Sequence, residues 1–372
     1  QNQIKNLNIL NQKPEIVPSV HEPDEKSALD HLKISRIILP ALIGLGVVGY
    51  LMSRQLDLGE LRKLDSNFHT LFWVSMALMM YVIRHIFFSF LLMINSDIAF
   101  SWRKSLQLIV LWEFSTCVSP TSVGGAGVAL YLLTKEKISA AKTITIVVYS
   151  MVMDTVFLGS ALLILDLIIG PVMIRPGMNF IADIDGYGMT FLTVLCFMLI
   201  YGSIFFYGLF VNPNAIKRLI LIISKISFLQ KFRHSLEQTA DDVIIAAQEL
   251  KKKPFIFFLQ TFACTAGAWT VRFLAINCLI IAFVSDFRSS LADHFIILSR
   301  GMAMHIIEAF SPTPGAAGVA EFLFGGFFSD YIPIGLAALI ALIWRLFGYY
   351  SYLIAGALVI PVWLRRIKSE KK

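Results

Sequence analysis

Ten ionisable side chains interrupt apolar runs of this chain: Arg84, His85, Glu113, Asp154, Arg272, Arg300, His305, Glu308, Glu321 and Arg345. An ion in apolar surroundings needs a partner or a purpose. Arg84, Arg272 and Arg345 lie too centrally in their runs to reach an aqueous edge, and Asp154 is similarly placed. His305 and Glu308 share a helix face at i, i+3, and Glu308 and Glu321 flank a Pro/Gly-rich break. A guanidinium binds phosphate or carboxylate through two parallel hydrogen bonds. The set therefore describes a polar, net-cationic chamber for an anionic group, with acids to balance or gate it. The competing reading for any one residue is a structural ion pair: Asp154 with an arginine, or Glu321 with Arg345.

A short motif, written twice, stands among these charges. The first copy is Ser119-Pro120-Thr121-Ser122-Val123-Gly124-Gly125-Ala126-Gly127-Val128-Ala129, and the second is Ser311-Pro312-Thr313-Pro314-Gly315-Ala316-Ala317-Gly318-Val319-Ala320. Each stops a helix at Ser-Pro-Thr, passes through small residues and restarts an apolar helix. Backbone freed in this way survives at membrane depth only where protein or a polar cavity satisfies it. Paired interruptions of this kind point to a transport site. Helix N-termini expected after Gly127 and Gly318 would present free N–H groups to an anion. Ser119, Thr121, Ser311 and Thr313 fit a capping role better than direct ligation. The candidate substrate-binding set is Arg84, Asp154, Arg272, His305, Glu308, Glu321 and Arg345, with Ser119, Thr121, Gly124, Gly125, Gly127, Ser311, Thr313, Gly315 and Gly318 from the two motifs.

The elements that must position these residues are membrane helices. The chain is 57% hydrophobic and 15% charged, with mean hydropathy +0.72, against about 25% charge in soluble domains. Several apolar runs exceed the ~18 residues that mark a membrane helix. The expected fold is all-α and integral to the membrane, with six spanning helices and two re-entrant helical hairpins. The spans are about 35–53, 68–92, 138–166, 188–211, 254–284 and 333–362. The motifs sit inside the apolar stretches 105–134 and 294–330, read as the hairpins; two tilted crossing pairs are the alternative. Residues 1–32 read as a disordered tail, 33–362 as the membrane domain, and 363–372 as a basic cytoplasmic tail. The chain begins without Met, so its native N-terminus is expected upstream, and no cleavable signal peptide is evident.

Lysine and arginine set the orientation. Segment 212–253 carries Lys217, Arg218, Lys225, Lys231, Arg233, Lys251, Lys252 and Lys253, and the tail carries Arg365, Arg366, Lys368, Lys371 and Lys372. Loops 167–187 and 285–293 hold one arginine each, Arg175 and Arg288. Both termini are expected in the cytoplasm. Segment 213–253 reads as one or two amphipathic helices on that surface, with a solvated linker as the plainer alternative.

The repetition extends beyond the motif. Tyr81-Val82-Ile83-Arg84 precedes the first copy and Trp269-Thr270-Val271-Arg272 precedes the second at a similar distance. Asp154 and Arg345 follow Gly127 and Gly318 at equal distances. Two units, about 68–166 and 254–362, each read as span, hairpin, span. The topology inverts one against the other, so the two Ser-Pro-Thr tips are expected to meet near the midplane.

Other chemistry finds little support. Cys117, Cys196, Cys264 and Cys278 form no metal or disulfide spacing, and no nucleotide loop, HExxH or GxSxG occurs. No metal, cofactor or nucleic acid is expected.

On these residues the chain resembles the flippase-like membrane domain of lysylphosphatidylglycerol synthases, over roughly 35–362. The carriers are Ser119-Pro120-Thr121 with Gly124-Gly125, Tyr131-Leu132-Leu133-Thr134-Lys135, Val152-Met153-Asp154, Pro312-Thr313-Pro314-Gly315 with Gly318-Val319 and Glu321, and Trp344-Arg345-Leu346. The resemblance implies a lipid translocation domain, in which Asp154, Glu321, Arg345 and Arg272 handle the head group. Many members carry an acid and an arginine just after the first glycine pair, where this chain has Ala126, Gly127, Val128 and Ala129. They also often carry a Glu-Arg pair where Ser150 and Met151 stand here. The cytoplasm-side half of the site is expected to differ accordingly. Nothing follows residue 372, so no soluble aminoacyl-transferase domain is expected and the chain is not expected to be a complete synthase.

The favoured expectation is a non-enzymatic transporter of an anionic phospholipid or lipid-linked intermediate, with that lipid as its partner. A homodimer and a partner lipid-modifying enzyme are left open. The competitors are a membrane-embedded transferase or hydrolase using His305, Glu308 or Glu321 as acid–base groups, and a structural subunit that docks partners on 213–253.

Overall fold

The computed structural model describes residues 67–119, 121–174, 176–177, 186–225, 233–285, 287, 290–309 and 311–370. The expected tail 1–32 and span 35–53 lie outside these residues. All the elements among them are helical: α1 (Phe68–Asn95), α2 (Trp102–Val118), α3 (Thr121–Thr134), α4 (Ala140–Ile169), α5 (Gly186–Phe206), α6 (Pro213–Ile223), α7 (Arg233–Lys251), α8 (Phe255–Phe283), α9 (Leu291–Ala309), α10 (Val319–Phe327), α11 (Ile334–Arg345) and α12 (Ser351–Glu370). Wider π turns at Tyr207–Val211 and Leu346–Tyr350 extend α5 and join α11 to α12.

Among the described residues, five stretches are long and apolar enough to cross a bilayer: Phe68–Asn95, Ala140–Ile169, Met189–Val211, Phe255–Phe283 and Ile334–Ile367. The protein is a multi-pass membrane protein. Its helix ends follow local chemistry. Asn67 caps α1 by accepting from the Thr70 amide at 3.0 Å, and Ser139 caps α4 by accepting from the Lys142 amide at 3.1 Å. α4 stops at Gly170, whose φ of +84° suits glycine.

The last helix does not end at 362 but runs on to Glu370. Its end is held by Glu136, which accepts from the Trp363 indole at 2.6 Å and from Arg366 at 2.5 Å, and also pairs with Lys104. The segment from 213 resolves into two helices, α6 and α7, tied by Lys217 to Asp241 at 2.6 Å.

α1 lies along α8 more extensively than any other described pair packs. Gly267 allows this: a Cβ there would sit 2.7 Å from the Phe87 ring. One core joins α1, α4, α5, α8, α9, α10 and α11, and a second joins α2, α3 and α12 with parts of α1 and α4. α2 and α3 fold back on one another, with Gly125 so close to Thr116 that a Cβ would meet its hydroxyl at 2.6 Å. At a rise of 1.5 Å per residue, α2 is about 26 Å long and α3 about 21 Å, short of the ~30 Å hydrocarbon core.

Candidate functional site

The two motif tips touch. The Gly315 amide donates to the Ser119 carbonyl at 3.4 Å. Ser119 is the buried C-cap of α2, its own amide bonded to the Ser115 carbonyl. The second tip turns on Gly315, Ala316 and Gly318, with φ of +57°, +55° and +85°. Ser311 and Thr313 hold that turn locally, hydroxyl to hydroxyl at 2.9 Å. The helix start expected after Gly127 is not there, whereas the one expected after Gly318 is, since α10 begins at Val319. Helix α3 begins at Thr121, so Gly124, Gly125 and Gly127 lie inside it rather than ahead of it; the side-chain surroundings of Thr121 and Gly124 lie outside the description. The start of α10 is already filled, because the Glu321 carboxylate accepts the Gly318 amide at 2.8 Å.

Beside the tips lie two cavities that share a wall. The larger, about 190 Å³, is lined by Arg84, Glu113, Asp154, Trp269, Arg272 and His305 among others. The smaller, about 90 Å³, takes in Ser119 and Gly315 from the tips, with Glu308 and Arg345. Glu113, Thr116, Arg272, His305 and Ala309 face both. A wider apolar groove of about 780 Å³ runs between α4 and α5, past Gly159 and Gly202, and meets the larger cavity at Thr155.

The arginines are not equivalent, and the chamber is less cationic than their number suggests. Arg84, on α1, is buried and bonded to Glu113 of α2 at 2.8 Å and to the Tyr352 hydroxyl at 3.3 Å. Arg345, at the end of α11, gives Nε to Glu321 at 2.9 Å and Nη2 to the Gly315 carbonyl at 2.9 Å, with Tyr349 stacked against its guanidinium. The anticipated Glu321–Arg345 pair is thus present, and it anchors the second tip. Arg300 is fully buried away from both cavities, held by Asp330 and by the carbonyls of Val172 and Phe327. Each of these arginines has found a carboxylate on another element, as the cost of burying an unpaired ion demands.

Arg272 differs. Among the described residues no carboxylate oxygen comes within 4.0 Å of its nitrogens. Its neighbours are the His305 Nδ1 at 3.4 Å and the Trp269 ring. Asp154 takes no arginine either, and accepts from the Trp269 indole at 2.6 Å. Glu308 lies 3.7 Å from His305.

The structure thus brings Arg84, Asp154, Arg272, His305, Glu308, Arg345, Ser119 and Gly315 to one pair of cavities, with Glu321 directly behind. Gly127 meets nothing within 4 Å and lines neither cavity. Glu113 and Trp269, outside the expected set, also line the larger cavity. The pairing of Glu113 with Arg84 depends on how α2 packs on α1. Trp269 carried a signal, since it precedes Arg272 by three residues and so shares its helix face.

The model of the lysylphosphatidylglycerol synthase TM region matches residues 37–356. A UPF0104 membrane protein of Archaeoglobus fulgidus is 19% identical over 282 residues, covering 73% of this chain and 79% of the archaeal protein.

Proposed function

Since the chain belongs to the lysylphosphatidylglycerol synthase TM region family, we propose that it moves an anionic phospholipid or lipid-linked intermediate between leaflets without chemical conversion. The observation that carries this reading is Arg272, a guanidinium that faces both cavities and has no carboxylate partner among the described residues. A phosphate or carboxylate head group supplies the missing anion, in two-point contact. The apolar groove at Thr155 leaves room for acyl chains to stay in lipid while the head group enters.

In this reading α2–α3 and α9–α10 are re-entrant hairpins of two inverted units, entering from opposite leaflets, with both termini cytoplasmic. The contact between Ser119 and Gly315 supports it, as do the Arg84 and Arg272 positions on the closely packed α1 and α8. In this reading the lipid is the partner.

The test is transbilayer movement of a fluorescent phosphatidylglycerol in proteoliposomes. Arg272→Ala should slow it by about tenfold or more, because a hydrogen bond to a charged group contributes about 1.5–3 kcal/mol. An unchanged rate in a folded Arg272→Ala protein sinks the reading.

A further inference from the structure

His305 Nδ1 stands between two groups that need it in opposite states. Arg272 Nη2 is 3.4 Å away. A guanidinium only donates, so that contact requires a lone pair on Nδ1. Glu308 Oε2 is 3.7 Å away. That is ion-pair range, just beyond a hydrogen bond; a carboxylate only accepts, so closing the gap requires a hydrogen on Nδ1. One nitrogen cannot serve both at once.

Glu308 is poorly satisfied where it sits. Its Oε1 is buried and has no hydrogen-bond partner among the described residues. Glu113, Asp154 and Glu321 by contrast each accept at least one bond at 2.9 Å or less. Other charged and titratable groups line the same two cavities, Tyr201 of α5 among them, and Glu321 of α10 stands behind Arg345. Tyr81 and Arg84 come from α1, Glu113 and Cys117 from α2, and Asp154 from α4. Arg345 ends α11, and Tyr349 follows it in the π turn. Arg84 and Arg345 are each held by a carboxylate other than Glu308, which leaves Arg272 as the cation that competes for Nδ1.

We propose that His305 and Glu308 form a proton site linked to the anion site, so that an anion drawing Arg272 away from Nδ1 lets the pair take up a proton. The inference rests on the anion reading of Arg272. In the step an N–H bond forms at Nδ1 as an O–H bond of a hydronium ion, replenished by the buffer acid, breaks; water and the buffer's conjugate base remain in solution, and the imidazolium donates to Glu308. A singly charged diester then enters together with one positive charge. The net charge of the buried chamber stays the same, which spares the cost of adding an unbalanced ion.

The probes are a short-chain phosphatidylglycerol and dimethyl phosphate, both phosphodiesters with no titratable proton near neutrality. The second lacks acyl chains and so separates a lipid site from a site for any small diester. Binding to the full chain in detergent is followed by calorimetry at pH 7 in two buffers of different ionisation enthalpy. The expected result is uptake of about one proton per diester bound in the unmodified protein, and heats independent of buffer in His305→Gln and in Glu308→Gln. Binding without proton uptake, or uptake that persists in both variants, overturns the proposal and leaves the lipid reading standing.

A second measurement needs no ligand. The His305 ring signals, identified by their loss in His305→Gln, should report a neutral ring in the unmodified protein at pH 7 and an imidazolium in Arg272→Gln. A neutral ring in Arg272→Gln overturns the competition between Arg272 and Glu308. If neither diester binds, the lipid reading falls, and this measurement alone decides the competition.

Discussion

The Gly315 amide donates to the Ser119 carbonyl at 3.4 Å, so the two copies of the motif meet backbone to backbone. Side chains would prevent that approach. A Cβ on Gly315 would collide with the Tyr349 ring and stand 2.9 Å from the Cys117 carbonyl.

Gly315→Ala should therefore destabilise the protein. The left-handed backbone alone costs about 1–2 kcal/mol with a side chain, and the collisions add to it. Gly127→Ala is the contrast, because it sits inside α3 with open space around it. It should be neutral or stabilising by up to about 1 kcal/mol. Thermal unfolding of the two variants in the same detergent checks the pair; equal loss in both would refute the role of the tip contact.

Glu321 and Arg345 are both buried, and Arg345 also holds the Gly315 carbonyl. Removing one partner leaves the other as an uncompensated buried charge, at about 3–5 kcal/mol. Glu321→Leu and Arg345→Met should each be severely destabilising, and the double variant less so than their sum. Additive losses across the double-mutant cycle would show that the ion pair is not what the single variants break.

Trp269 donates to Asp154 at 2.6 Å across α8 and α4. Trp269→Phe keeps most of the ring but leaves Asp154 without that donor, at about 1–3 kcal/mol. In an Asp154→Leu background the same change should cost much less. Denaturant unfolding of the four proteins measures the coupling, and a coupling near zero would remove the bond from the account.

Asp97 lies in the turn after α1 and accepts from Lys142 at 2.5 Å and also from Lys253. Partial burial alone would raise its pKa, but the bonds from Lys142 and Lys253 together hold it below the ordinary aspartate value. A carboxylate depressed in the folded state stabilises above its unfolded pKa, and that stability is lost as pH falls through the lower folded value. Asp97 is half exposed, so the bridge contributes under about 1 kcal/mol. Asp97→Asn should show a small, salt-sensitive loss at pH 7 that fades below about pH 4. A loss that persists in acid would point to packing instead.

The class of protein and its main helices are legible in the apolar runs alone. In a bilayer the backbone must satisfy its hydrogen bonds within each segment, so an apolar run of sufficient length becomes a helix whatever surrounds it. The described spans accordingly begin and end near the residues that the apolar runs and their caps indicate, apart from the last helix. There the distant Glu136 holds the end, and no local pattern announces it.

Charge pairing was decided by tertiary structure. Arg84, Arg272 and Arg345 look alike in the chain, each a lone arginine in an apolar run. Packing gives Glu113 to the first and Glu321 to the last, and leaves Arg272 facing two cavities beside His305. Likewise the glycines of the first motif read as a helix start but lie within α3, because Pro120 precedes them and the close approach to Thr116 falls one turn further on. The reason is physical: helix formation depends on near neighbours, whereas the partner of a buried ion comes from another helix, tens or hundreds of residues away.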